Sequence, residues 1–189
     1  MTKLFQYAGI AASVCLIAFG IGAAVIGLDG RDRVATELAR EQIVGTPDST
    51  IPNQLVNSGS EAQAFAKVIR KHTLEATGGK TYAQMPQYIT ADGKGTSDKA
   101  AAGKDPKTGA PTSNPARQIW ITETALTTAL NTAYFAESMA TFVAAIGGAL
   151  LLVGIGFLVI SLRLLRQPST AKETARKVST TAKPAVGAA

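Results

Sequence analysis

The chain has 189 residues, a formal net charge of +6 and 6% aromatic residues, and its apolar side chains are concentrated in two uninterrupted runs. Outside those runs and a Ser/Thr/Ala/Pro/Lys tail, only residues 29–138 remain for a globular region, which excludes a large core enclosing a buried active site. Nucleic-acid binding finds no support either. Residues 29–138 carry twelve basic and twelve acidic side chains, so the excess lies at Lys3 and in 163–189, a tail with no aromatic ring to stack on a base.

The first run, Leu4–Leu28, has no charged residue and follows the short N-terminus 1–3. Small residues around Gly22–Ala24 would suit a signal peptidase, but a 25-residue stretch exceeds the usual signal core of about 7–15 residues. A retained membrane helix over 4–28 is the expectation, with a cleaved signal as its alternative. Small residues recur at helix spacing, Gly20 with Ala24 and Ala23 with Gly27. Cys15, the only cysteine, lies in this run and reads as a small apolar span residue, so no intrachain disulfide can form.

Asp29–Val44 is polar with Val34, Leu38 and Ile43 interspersed, and it should continue the first helix until Gly45-Thr46-Pro47-Asp48 stops it. Thr46–Gly59 then reads as a loop. A second helix is expected from Ser58 to Gly79. Ser58 precedes Glu61 at capping-box spacing, and Gly78-Gly79 supplies the stop. Ala62, Phe65, Ile69, His72 and Ala76 should form its inner face, with His72 donating a hydrogen bond to a packed partner. Thr81–Met85 reads as one further turn.

Residues 90–113 contain Gly, Lys, Asp, Ala, Thr and Pro without an apolar period, the composition of a mobile loop. Pro115 behind Asn114 is a favourable helix start. From there the helical pattern runs without Gly or Pro to Gly147, through the second apolar run, Met139–Leu162. That run has 24 residues and no charge, enough at about 1.5 Å per residue to cross a hydrocarbon layer of roughly 30 Å. Ala140, Ala144 and Gly148 repeat every four residues in it, a pattern that lets helix backbones approach in lipid. They would serve a contact within the chain or one with another subunit. Residues 163–189 read as a basic disordered cytoplasmic tail. Lys172–Lys183 would be drawn to anionic lipid, and nearby Ser and Thr residues are available for phosphorylation.

Lys and Arg beside span ends mark the cytoplasmic side, so both termini should be cytoplasmic in a multi-pass cell-membrane protein. The expected architecture is an all-α membrane protein, a two-helix transmembrane hairpin carrying a small extracytoplasmic helical bundle over 29–138. Neither span has an ionisable residue to line a polar path, which argues against a channel.

The stretch Ala62–Met85 contains Ala64, Ala66, Ile69, His72, Leu74, Glu75, Ala76, Gly78, Gly79, Lys80, Thr81, Tyr82 and Ala83 in an arrangement that resembles a family of two-span actinobacterial membrane proteins often labelled "aromatic ring-opening dioxygenase LigA". The two runs and the Ile43 region match that family in layout. Residues 90–113 look longer than in the family, and Glu137 stands where the family pattern would place a basic residue. The resemblance implies a two-span fold in a bacterial cell envelope. The label itself meets a chemical obstacle. A ring-opening dioxygenase needs iron, commonly on two histidines and a carboxylate, and this chain has one histidine. His72 and Glu75 are at i, i+3, but completing a site would need Glu37, Glu41, Glu123 or a second chain. Gly78-Gly79-Lys80-Thr81 has only the end of a phosphate-loop motif and follows a helix instead of a strand.

No cofactor or metal site is therefore expected. The leading expectation is a non-enzymatic scaffold or accessory subunit of the cell envelope. Its partners would be the lipid bilayer and either another membrane protein or a second copy. The alternative is a lipid-binding or small-molecule-binding module whose ligand face includes His72, Glu75, Tyr82 and Trp120.

Overall fold

The computed structural model describes residues 2–166. The basic tail beyond Arg166, with Lys172–Lys183 and its hydroxyl residues, lies outside the described residues. The fold is mostly helical. Helix α1 spans Thr2–Arg40, α2 spans Gly59–Ala76 and α3 spans Pro115–Arg166, with a 3-10 turn at Tyr82–Gln84 and two-residue strands β1 (Tyr88–Ile89) and β2 (Gly95–Thr96). Two helices, α1 and α3, are long and apolar enough to cross a membrane, and only 11% of the most apolar stretch of each is buried. The described residues form two compact units: 2–25 with 143–166, and Ile26–Phe142.

In the first unit α1 and α3 pack antiparallel, and glycine makes the seam. A Cβ added at Gly20 would lie 2.7 Å from Leu151 N, and one at Gly154 would lie 3.0 Å from Ile17 N. One at Gly9 would lie 2.7 Å from Ser161 Oγ, and Gly147 lies against the backbone of Ala24. Ser13 is fully buried here and donates to the Gly9 carbonyl at 2.7 Å. Buried small residues thus recur every seven positions, Ser13 and Gly20 on α1, Gly147, Gly154 and Ser161 on α3. Seven residues is the repeat that keeps two shallowly crossed helices in register. This corrects Gly148 as a contact within the chain in the four-residue pattern of Ala140, Ala144 and Gly148. Gly148 has nothing within 4 Å of where a Cβ would stand, whereas its neighbour Gly147 is the contact. Gly20 and Ala24 do lie on the seam. Away from it, Phe19 and Leu152 are 74% and 71% exposed.

The second unit has a core of Leu38, Val56, Ala62, Ala66 and Leu130, flanked by Val34, Ile43, Ile51, Phe65, Ile69 and Ala133. All three helices and the loop after α1 contribute to it. A fully buried aliphatic side chain such as Val56 is worth about 1.5–3 kcal/mol. Gly27 is buried in this unit, and a Cβ at Gly30 would stand 3.2 Å from the Ala140 methyl. So Ala140 and Gly27 belong to the second unit's packing, while Ala144 is half-buried in the first.

Helix α1 ends at Arg40, earlier than the Gly45–Asp48 stop expected from sequence. Gln42 takes the left-handed conformation (φ 52°) and turns the chain. Gly45 instead serves the narrow loop that follows. Its N–H donates to Gln54 O at 2.9 Å, Val56 N donates to Ile43 O at 2.8 Å, and a Cβ there would overlap the Ile51 carbonyl.

Helix α2 starts as expected, with Ser58 Oγ accepting from Glu61 N at 3.4 Å. The reciprocal arm differs: Glu61 accepts from Asn57 N at 2.9 Å. At the other end Gly79 N donates to Leu74 O at 2.7 Å and Gly78 N to Glu75 O at 3.3 Å, a Schellman closure with both glycines at positive φ. The inner face is Gly59, Ala62, Ala66, Thr73 and Thr77, all buried, with Ile69 half-buried. His72 and Ala76 are exposed, which corrects their placement on that face.

Residues 88–113 carry a hydrogen-bonded framework that their composition does not announce. Tyr88 pairs with Thr96 and Ile89 with Gly95, and Tyr88 also bridges to Ser113. Ile89 N donates to Thr112 O at 3.0 Å, and Gly103 N to Ile89 O at 2.8 Å. The lobe returns the chain to Asn114, whose Oδ1 accepts from Ala116 N at 3.0 Å and caps α3 as expected.

Candidate functional site

The four residues His72, Glu75, Tyr82 and Trp120 do not form one face. They divide into two clusters, one on the outer side of α2 and one at the start of α3.

The outer cluster is built on Asp48, carried by the loop after α1. His72 Nε2 lies 2.9 Å and Lys71 Nζ 2.8 Å from Asp48 Oδ2, and Thr46 Oγ1 donates to Asp48 Oδ1 at 2.8 Å. The Lys71 ammonium, with Thr46 and His72, holds the Asp48 carboxyl far below the usual aspartate range. Asp48 in turn pushes Lys71 up. Glu75 stands 4.0 Å from Lys71 and is largely exposed. His72 therefore pairs with a loop carboxylate at the surface; it does not pack against α3.

Trp120 is 2% exposed. Its Nε1 donates to Lys80 O at 2.9 Å and reaches Thr77 Oγ1 at 3.3 Å, so it pins the chain just past the end of α2. The Arg70 guanidinium stacks over the indole, 4.6 Å from the ring centroid, and its Nη1 is 3.5 Å from Glu123 Oε1. Tyr82 is covered by Arg117, 3.8 Å from its centroid, while Arg117 Nη1 donates to Met85 O at 3.0 Å. The first turns of α3 thus clamp residues 77–86 through the Trp120 N–H, the Arg117–Tyr82 cation–π contact and backbone carbonyls, while Arg70 of α2 stacks on Trp120.

Asp48, Arg70 and Arg117 were not legible as site residues, because their partners lie far away in sequence. Glu137 receives the Gly59 N–H at the start of α2 and faces Arg31 at 3.7 Å. An anion at a helix N-terminus meets unpaired N–H groups and the positive end of the dipole. A basic residue there would lose both interactions.

The candidate iron ligands are not brought together. Glu37 bonds Arg40 at 2.8 and 3.0 Å, Glu123 is buried beside Arg70, and His72 is at the surface. Among the described residues no three His, Cys, Asp or Glu side chains gather in a group that could hold a metal ion. Comparison with protein-family models, with curated proteins and with solved structures finds no match to this chain.

Proposed function

We propose that this is a non-enzymatic integral membrane protein of a bacterial cell envelope, acting as a scaffold or accessory subunit. In this reading α1 and α3 cross the membrane as a hairpin over 4–28 and 139–162, both termini are cytoplasmic, and the second unit is a small extracytoplasmic bundle. One observation carries it. The long apolar helices bury their small residues against each other and leave Phe19, Ile21, Val25, Leu152, Phe157 and Ile160 more than half exposed. In water such a surface would aggregate, whereas lipid solvates it. The balanced charge of 29–138 against the basic flanks supports the orientation. The resemblance of Ala62–Met85 to the two-span actinobacterial family supports the envelope setting.

The test is purification of the tagged full chain from its host in native nanodiscs, followed by mass spectrometry. A partner protein in fixed stoichiometry is the expected result. A free monomer, or protein loaded with stoichiometric iron, would overturn the scaffold reading. Orientation is checked with Cys15 replaced by Ser and single cysteines placed at Asp98 and Lys172. In intact cells an impermeant maleimide should label the first position and spare the second.

A further inference from the structure

A hollow of about 310 Å3 lies within the second unit, lined chiefly by Leu28, Arg31, Asp32, Asn57, Ser58 and Glu137. Its place along the chain sets its surroundings. Leu28 is the last residue of the first apolar run, and Glu137 stands two residues before the second. At about 1.5 Å per residue, Arg31 and Glu137 are within roughly 5 Å of the ends of those runs. A polar headgroup layer of roughly 5–8 Å borders each side of a hydrocarbon core. Where α1 and α3 cross a membrane, this hollow therefore opens among lipid headgroups.

The charges in its wall are only partly used. Glu137 receives the Gly59 N–H and faces Arg31 through the guanidinium Nε at 3.7 Å, beyond hydrogen-bond distance. Among the described residues no Arg31 N–H has a hydrogen-bond acceptor, and the side chain is 47% exposed. The Asp32 carboxylate likewise has no partner among them, whereas Asp29 and Arg33 pair with each other at 2.8 Å and do not line the hollow. The Asn57 carboxamide is also unengaged, since only its backbone N–H is bonded, to Glu61. The hollow thus offers a planar fork of donors suited to a phosphate and, one residue on, a carboxylate suited to an ammonium. Leu28, 54% exposed, gives it an apolar lip at the end of the span.

We propose that the hollow binds one phospholipid whose headgroup is a phosphate linked to a primary ammonium, the phosphate on Arg31 and Asn57 and the ammonium on Asp32. Charge complementarity selects this headgroup. Sites for anionic lipids gather several Lys and Arg, but here a single cation stands among two carboxylates. A quaternary ammonium has no N–H to give Asp32. The proposal rests on α1 and α3 crossing the membrane; it does not need a protein partner.

The test inserts the full chain into nanodiscs of equimolar phosphatidylethanolamine, phosphatidylcholine and phosphatidylglycerol with identical acyl chains. Native mass spectrometry then strips the bilayer and reads which lipid stays on the protein. One phosphatidylethanolamine should be retained about tenfold more often than either other lipid, the factor expected of one hydrogen bond to a charged group. Asp32→Asn, an exposed change, should level the three lipids, and Arg31→Gln should lower retention of all of them. Asp29→Asn removes the same charge outside the hollow and should keep the preference. An equal concentration of glycerophosphoethanolamine, the headgroup without acyl chains, should not displace the lipid. A chain that fails to enter nanodiscs would overturn the membrane reading and the proposal with it. An inserted chain that retains the three lipids equally would overturn the proposal alone, as would a preference that survives Asp32→Asn, one lost in Asp29→Asn, retention unchanged in Arg31→Gln, or displacement by the soluble headgroup.

Discussion

Gly20 of α1 and Gly147 of α3 meet backbone to backbone. A methyl group at Gly20 would stand 2.8 Å from Gly147 O, and one at Gly147 would stand 2.7 Å from Gly20 O. Neither carbonyl can move without bending its own helix. Replacing Gly147 by Leu should therefore destabilise the helix pair by about 1–3 kcal/mol or more, the cost of overpacking a fitted contact. Gly148→Leu, one position on, meets nothing within 4 Å and should stay within about 0.5 kcal/mol. Denaturant titration of the two variants in mild detergent measures the difference. Equal effects would refute the seven-residue seam.

Trp120 joins the second unit's helices to the turn after α2. Trp120→Ala should cost about 3–5 kcal/mol through the lost ring. Trp120→Phe keeps most of the ring but leaves the Lys80 carbonyl and Thr77 hydroxyl without the indole donor, so a smaller cost of about 1–3 kcal/mol is expected. Urea unfolding followed by circular dichroism orders the two variants. A Phe variant as damaged as the Ala variant would mean that the hydrogen bonds outweigh the packing.

Asp48 makes stability depend on pH in the acid range. Lys71 first, then Thr46 and His72, lower its carboxyl in the folded state below the ordinary aspartate value of about 4. A group lowered by folding stabilises above its unfolded value and loses that contribution as pH falls toward the folded one. Wild type should thus melt above Asp48→Asn at pH 5, and the margin should shrink progressively as pH falls from about 4 toward 2. Thermal melts of both proteins across that range provide the check. A margin that persists unchanged at pH 2 would show that the loop–helix contact does not depend on the charge.

The sequence by itself determined the elements whose signals are local. Asn114-Pro115 opened α3, Ser58 capped α2, Gly78-Gly79 closed it, and two charge-free runs marked the helices long enough to cross a membrane. These signals act within a few residues, through backbone geometry and unpaired N–H groups, so no partner is needed to read them. Tertiary structure alone decided which side of each helix faces inward. One residue is about 100° of helix rotation, and that step separates buried Thr73 from exposed His72, and seam Gly147 from open Gly148. It also joined Asp48 to His72, Arg70 to Glu123 and Gly59 to Glu137, pairs 24, 53 and 78 residues apart. Hydrophobic periodicity sets an inner arc only to within a residue or so. The final rotation is chosen by the shape of the neighbour, and charged side chains then pair with whatever that rotation brings within reach.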